Sequence, residues 1–451
     1  MALPAKKTKK GAKPAKKSKT AKRTALGILA AAAMAVTSGL AAADPLTVST
    51  STGVSATLYG TLQFDGIWTD NRSYTSGSSG SSSDVTLWAL EQKKGQVTND
   101  AETRLSADPT RFGVNITGPN SDSVVLTGKL ETDFYGTVSS GGENAPAIRI
   151  RHAYGNISLP DYGFSLLAGQ TWDVIAPLNS PILDSGALYD SGNLGARRPQ
   201  LRLTEGVKFA DTGKVDLAVA AVRSIGQGSP LVASTVSGYQ TDTGRSADFP
   251  ALEARLGASV PTWVDKQTLN VGVGGLYGQD QVFLANSAGT ATTTQSLNLD
   301  VRAVAVDLEI PVIDWISLAG EGYAGENLGQ YQGTLGYEYF NPAGDSPTGN
   351  QLTDYQGWGA WGALRLKPGS WLINLGLAED KLTNDEASLP TASDPRVRNI
   401  TGFANISYLI TPTTKIGVEY GRTETDYYDH VVKADNAAHL NRGQLTVAYT
   451  F

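Results

Sequence analysis

From about residue 54 to its end, the chain repeats one unit: a run of ten or more residues in which apolar and polar positions alternate, then a turn or a loop. In the first run Leu58, Leu62, Phe64 and Trp68 share one parity with Gly60 and Gly66, while Tyr59, Thr61, Gln63 and Asp65 share the other. Successive side chains of a strand point to opposite faces, so this is a strand with one apolar and one polar side. A half-buried soluble sheet shows the same alternation, and a single run decides nothing. Sixteen runs do. They fall near 54–68, 103–117, 123–137, 147–159, 163–175, 200–210, 214–225, 249–260, 267–279, 297–310, 315–326, 354–366, 371–380, 397–410, 415–427 and 439–451. An even number of strands is what a single-chain bacterial barrel carries, and the pattern predicts an all-β, 16-stranded transmembrane antiparallel barrel.

The connections alternate in length. Pro119-Asn120, Pro160-Asp161, Asp211-Thr212-Gly213, Pro261 to Asp265, Pro311 to Asp314, Pro368-Gly369 and Thr411-Pro412-Thr413 spell tight turns. Between them come long Ser/Gly/Thr/Asn/Asp-rich segments at 69–102, 176–199, 226–248, 280–296 and 327–353, with moderate ones at 138–146, 381–396 and 428–438. Short turns at one rim and long loops at the other are the arrangement of a membrane barrel. The predicted outer faces are apolar at mid-strand, as at Leu130, Leu217, Val273, Leu375 and Val418, and aromatic residues gather near strand ends, as at Trp68, Phe209, Tyr277, Trp315, Trp371, Tyr408 and Tyr420. Three runs are imperfect. Glu205 breaks an outward face, His152 lies in phase with Ile148 and Ile150, and the stretch from Val301 to Ile310 changes phase, which predicts a bulge or a patch that faces protein.

Composition narrows the reading further. Charged residues make up 18% of the chain and there is no cysteine, which excludes a disulfide framework, thiolate metal sites and a cysteine nucleophile. Mean hydropathy is −0.19, and after the first 43 residues no apolar run reaches the length of a membrane helix. The N-terminus reads as a secretory signal peptide: basic from Lys6 to Arg23, apolar from Ala25 to Leu40, then Ala41-Ala42-Ala43 before Asp44. A basic nucleic-acid-binding tail would not need that apolar block and cleavage site. The expected organisation is residues 1–43 signal peptide, 44–53 a short periplasmic lead-in and 54–451 barrel. Cleavage would remove ten Lys+Arg and no acid, leaving 27 basic against 43 acidic residues. A chain so acidic is not a nucleic-acid binder, and its long loops suit a cation-rich, lipopolysaccharide-bearing surface.

The last run, Gln444 to Phe451, is apolar at every second position and ends on Phe. Tyr449 and Phe451 resemble the terminal signature by which the barrel-assembly machinery recognises bacterial outer-membrane proteins. Leu58-Tyr59-Gly60, Thr110-Arg111-Phe112-Gly113, Leu130-Glu131-Thr132-Asp133-Phe134-Tyr135-Gly136, Arg149-Ile150-Arg151-His152-Ala153-Tyr154-Gly155 and Leu167-Ala168-Gly169-Gln170-Thr171-Trp172 resemble, in that order, segments of the Gram-negative porin superfamily and within it the DcaP-like porins. They cover roughly the first third of the mature chain. The resemblance implies a homotrimer in the lipid bilayer of the outer membrane, and the order of the N-terminal segments predicts export by the Sec route. The resemblance also implies a water-filled channel for passive diffusion of small polar solutes, with a constriction loop folded inward after the fifth strand, here Asp173 to Pro199. The chain departs from the family in showing no coiled-coil extension before the barrel and no Pro-Glu-Phe-Gly-Gly motif in that loop.

The polar faces nominate the pore lining. Arg111, Lys129, Glu131, Asp133, Arg149, Arg151 and Arg202 lie opposite the apolar faces of neighbouring strands, and the constriction loop adds Asp173, Asp184, Asp190, Arg197 and Arg198. Cations facing anions across a narrow pore make a transverse field that selects polar solutes. The plainer reading of these charges is that they only solvate a lumen. Of the three histidines, His430 beside Asp426 and Asp429 is the nearest candidate for a barrel enzyme, and a loop histidine among acids is more often solvated surface. No clustered metal-ligand spacing is present, and no cofactor or catalytic residue is expected. Gly320-Glu321-Gly322-Tyr323-Ala324-Gly325 matches the dinucleotide fingerprint but lies inside a strand-period run. Besides the general pore, a channel specific for one solute and a structural or adhesive barrel without an open lumen remain as alternatives.

Overall fold

The structure is a computed structural model, and it describes residues 46–71, 73–74, 86–90, 101–136, 147–225, 244, 247, 249–284, 295–340, 352–390, 394–432 and 434–451. Sixteen antiparallel strands form one closed sheet. They are β1 (Ser55–Thr69), β2 in two segments (Glu102–Ser106 and Arg111–Thr117), β3 (Val125–Gly136), β4 (Ala147–Leu159), β5 (Phe164–Trp172), β6 (Arg197–Phe209), β7 (Gly213–Val222) and β8 (Ala251–Pro261). They continue as β9 (Thr268–Leu284), β10 (Gln295–Ile313), β11 (Ile316–Glu326), β12 (Gln356–Leu366), β13 (Trp371–Leu382), β14 (Arg396–Thr411), β15 (Thr414–Asp429) and β16 (Ala434–Thr450).

Each strand pairs with its sequence neighbour, and β1 closes the circle on β16 with Thr61 opposite Thr450 and Thr69 opposite Arg442. Closure is obligatory in hydrocarbon, where each unpaired backbone group costs several kcal/mol. Below the end of β16 the edge of β1 is covered by a different segment. The lead-in forms a short strand, Thr47–Ser49, paired with residues 55–57, and the Leu58 N–H donates to the Leu46 carbonyl at 2.9 Å while Gly60 and Phe451 exchange backbone bonds at 3.0 Å. A Cβ on Gly60 would lie 2.6 Å from the Phe451 ring, so glycine is required there.

The alternation holds. Leu58, Leu62, Phe64 and Trp68 face outward, as do Leu217, Val273, Leu375, Val418, Trp315, Trp371, Tyr408 and Tyr420, whereas Asp65 is 1% exposed. The short turns fall where predicted, with Gly163, Lys266 and Gly369 in the left-handed region at three of them.

The irregular runs have separate causes. In β4 the register against β3 shifts between Glu131 and Thr132, so that Glu131 faces His152 and Thr132 faces Ile150. The extra residue, Arg151, inverts the parity, and Ile148 and Ile150 on one side of it and Ile157 on the other all point outward. The expected phase change after Val301 is absent: Val304, Val306 and Leu308 face out, and the inward Val301, Ala303 and Ala305 pack against loop residues Ile175, Leu194 and Tyr331. The apolar inner face is a patch that faces protein. Glu205 points outward, as its phase predicted. The continuous second run is broken at Asp108-Pro109, where proline has no N–H for the ladder. There Thr110 Oγ1 takes over, accepting from the Gln63 N–H at 3.1 Å and donating to the Gln63 carbonyl at 3.2 Å.

Candidate functional site: an inward loop and a cation-lined cavity

Residues 173–196, between β5 and β6, cross the inside of the barrel. The loop was expected to run to Pro199, but β6 already begins at Arg197. It is fastened to the far wall by carboxylates that accept its backbone N–H groups. Glu253 on β8 takes those of Val174 at 2.6 Å and Ile175 at 3.4 Å, Glu321 on β11 takes that of Leu178 at 2.6 Å, and Glu419 on β15 takes that of Leu183 at 2.7 Å. Asn405 donates to the Pro181 carbonyl at 2.9 Å, and Asn399 to the Asp190 carbonyl at 2.8 Å. A loop buried in a lumen carries amide donors that nothing in its own backbone satisfies, and each would cost about 1–3 kcal/mol if left unpaired. The inward acids of β8, β11 and β15 meet that need.

Two further segments fold in beside it. Residues 327–338 join the loop through the Asp190 N–H to Gln332 carbonyl bond at 3.0 Å and the Gly195 N–H to Tyr331 carbonyl bond at 2.8 Å. Leu87, Trp88 and Ala89 are buried against β14 and β15, with Ala89 N–H on Thr425 Oγ1 at 2.9 Å and the Leu87 carbonyl accepting from Asn399 at 2.9 Å.

What remains open lies between the loop and β1 to β6, β15 and β16, as a cavity of ≈ 1020 Å³. Its charged lining is Arg111, Lys129, Arg149, Arg151, Arg197 and Lys415 against the carboxylates of Glu131 and Asp184. The arginines of β4 are held by acids of β3. Arg149 donates Nε and Nη2 to the two Asp133 oxygens at 2.9 and 2.7 Å, and Arg151 donates Nε to Glu131 at 2.6 Å and Nη1 to Asp133 at 2.9 Å. Lys129 lies 3.5 Å from the other Glu131 oxygen, which also accepts from the Tyr59 hydroxyl at 2.8 Å. The side chains of Arg111 and Lys415 make no hydrogen bond or ion pair with any described residue, and the Arg197 guanidinium stacks on the Trp172 ring at 4.4 Å.

The nominated residues thus divide. Arg111, Lys129, Glu131, Arg149, Arg151, Asp184 and Arg197 line the cavity. Asp184 also pairs with Arg442 at 3.1 Å and accepts from the loop's own Gly186 N–H at 2.7 Å. Asp133 is fully buried beneath the two arginines. Asp173, Asp190, Arg198 and Arg202 do not line the cavity. Arg198, wholly buried, lies 3.4 Å from Asp173, donates to the Gln330 carbonyl at 2.7 Å and covers the Tyr331 ring at 3.4 Å. Burial pushes the Asp173 carboxyl up against the lowering pull of Arg198. Arg202 is turned back onto Gln200 Oε1 at 2.9 Å and the Trp172 carbonyl. The cause is one of topology: the loop lies against β8 to β15, so residues at its root and on its far side become packing, and Arg202 does not join Arg111, Arg149 and Arg151 on the cavity wall. Lys415 and the anchoring Glu253, Glu321, Glu419 and Arg442 were not singled out from sequence. Their inward parity on strongly alternating runs was the available signal. Among the described residues His430 has no triad-like partner; its Nε2 lies 3.1 Å from the Pro390 carbonyl and its ring packs at right angles to that of Tyr428.

No protein-family model and no curated protein matches the chain. Solved structures do. The outer membrane channel DcaP of Acinetobacter baumannii superposes with a TM-score of 0.64 at 20% identity, over 90% of this chain and 99% of that one. The anion-selective porin from Comamonas acidovorans superposes with a TM-score of 0.50 at 9% identity, over 88% of this chain and all of that one. At these identities the likeness is one of fold, and this chain has the porin-type 16-stranded barrel fold.

Proposed function

We propose that the chain is an outer-membrane porin: a channel for passive diffusion of small hydrophilic solutes that prefers anions, with small dicarboxylates the first class to try. The carrying observation is the cavity between the inward loop and the barrel wall, where six cationic side chains face two carboxylates. The mature chain is acidic as a whole, yet a permeating ion responds to the local field where low-dielectric walls weaken screening. Glu253, Glu321 and Glu419 of the far wall are held against the inward loop and do not line the cavity. Guanidinium forks match carboxylates with two parallel bonds, which favours that solute class. Both solved relatives named above are described as channels or porins, one of them anion-selective.

The same reading includes removal of residues 1–43, insertion through the barrel-assembly machinery with Tyr449 and Phe451 as its signal, assembly as a homotrimer, and an outer leaflet of lipopolysaccharide around the loops. A channel specific for one solute is supported by the three cations without a carboxylate partner among described residues, Arg111, Arg197 and Lys415. A plugged structural barrel has no support from a cavity of this size. Reversal potential across a KCl gradient in a planar bilayer tests the proposal. Anion selectivity, with current block by an added dicarboxylate, is expected; a cation-selective or non-conducting wild type would overturn it.

A further inference from the structure

Thr334, Leu335 and Gly336 adopt φ of 49°, 53° and 76° in succession, a left-handed run that a β-branched and a γ-branched residue rarely enter. The N–H groups of this tight turn are directed at acceptors from other parts of the chain, the Gly336 N–H also bonding the Gly333 carbonyl at 3.1 Å. The Thr334 N–H donates to the Tyr323 hydroxyl at 3.0 Å, and that hydroxyl donates to Asp380 Oδ2 at 2.6 Å. The Leu335 N–H reaches the same Asp380 oxygen at 3.5 Å, and the Gly336 N–H faces the Asp190 carboxylate, whose Oδ2 lies 3.5 Å from where a Gly336 Cβ would stand. Asp190 belongs to the inward loop, Asp380 to β13, and the left-handed turn to the second inward segment, so three separate parts of the chain meet at one pair of carboxyl groups.

The pair lacks a direct counter-ion. Asp190 Oδ1 and Asp380 Oδ1 are buried without a hydrogen-bond partner. The charged and titratable groups that face the pair are Tyr323 on β11 and Arg396 on β14, in addition to the two acids themselves. Arg396 is engaged elsewhere: it donates to the Leu335 carbonyl at 2.8 Å and is stacked between Trp88 and Tyr337 at 3.8 and 4.4 Å. Two neighbouring carboxyl groups out of water, with neutral donors on one oxygen each, cannot both ionise cheaply.

We propose that Asp190 and Asp380 share a proton and act as a latch that docks the inward loop and residues 333–337 onto β13, and that losing this proton loosens both segments. Because the loop forms one side of the cavity, the latch regulates the channel of the preceding proposal and rests on that reading for its functional consequence. Burial raises the Asp190 carboxyl to about 7. A carboxyl raised on docking contributes stability that is complete below the ordinary carboxylate range and is lost as pH climbs through the raised value. The latch is therefore tightest in acid and weakens as pH rises from the ordinary carboxylate range through the raised value, by up to about tenfold in the docking equilibrium per pH unit, with no further loss once both states are ionised.

Hydrogen exchange on the full chain tests it, with protection factors corrected for the intrinsic pH dependence of exchange. In the wild type, amides of residues 186–194 and 333–337 should lose on the order of tenfold protection between pH 6 and pH 8.5, while the β9–β10 ladder does not change. Asp190→Asn imitates the protonated acid and should hold its protection across that range. If Asp190→Asn does not fold, Asp380→Asn carries the same expectation. Unchanged wild-type protection, or a neutral variant that loses protection as the wild type does, overturns the latch. Single-channel recording runs in parallel: the proposal expects open-channel noise to rise above pH 7 in the wild type alone. PH-dependent protection in a protein that passes no current would keep the latch and remove the channel reading.

Discussion

The two walls of this barrel use the same strand parity for opposite ends. On β8, β11 and β15, inward Glu253, Glu321 and Glu419 are taken up by loop amides. On β2, β4 and the far side of β15, inward Arg111, Arg149, Arg151 and Lys415 remain turned to the cavity. An inward charge is thus not by itself a pore charge. Its role depends on whether a loop comes to rest on it, and the acids of the covered wall leave a cationic field on the open one.

The comparison breaks most visibly at Glu419. Its carboxylate accepts from the Leu183 N–H and from Asn405 and forms a buried ion pair with Arg442, which also reaches Asp184. Glu419→Leu leaves a loop amide unpaired and the buried Arg442 guanidinium with Asp184 as its one remaining carboxylate, and breaking a buried pair costs up to about 3–5 kcal/mol. The heat-modifiable mobility shift of the folded barrel should move to clearly lower temperature. An unchanged shift would mean that the covered wall is not what holds the loop.

On the open wall the paired arginines come next. Arg149→Ala with Arg151→Ala leaves Asp133 and Glu131 buried without their guanidinium partners, at a cost of about 2–4 kcal/mol on the scale of uncompensated buried charge. It should lower stability and shift reversal potential toward cations. A shift in selectivity with full stability would show that these bridges are solvated, and that the open wall is less ordered than the hydrogen bonds of β3 and β4 imply.

The difference between the walls also marks where sequence stopped being informative. Period-two alternation located all sixteen strands, their outward faces and the short turns, because hydrocarbon outside and polar groups inside impose one rule on every residue of a strand. It nominated Arg111, Lys129, Glu131, Arg149 and Arg151 for the same reason. Arg198 and Asp190 were misplaced because their fate depends on a loop crossing the lumen, a contact between residues far apart in sequence with no local pattern. Val301, Ala303 and Ala305 are the complementary case. Their apolar inner face looked like a defect in the alternation, and it is the surface on which Ile175, Leu194 and Tyr331 pack.

The smallest structural perturbation should give the cleanest functional one. The Arg111 and Lys415 side chains face the cavity from β2 and β15 and bond to no described residue, so Arg111→Ala with Lys415→Ala breaks no ion pair or side-chain hydrogen bond among the described residues. Substitutions away from packed or paired groups usually stay within about 0.5 kcal/mol, and the temperature of the mobility shift should be that of the wild type. Two unit charges are nevertheless gone from the cavity. In the arginine pair of β4 the buried acids left unpaired can take up protons and blunt the loss, whereas here nothing compensates. The reversal potential should therefore move toward cations at least as far as in Arg149→Ala with Arg151→Ala, with none of that variant's loss of stability. A reversal potential equal to wild type would place the ion path away from Arg111 and Lys415, and would confine the selective field to the bridged arginines of β4.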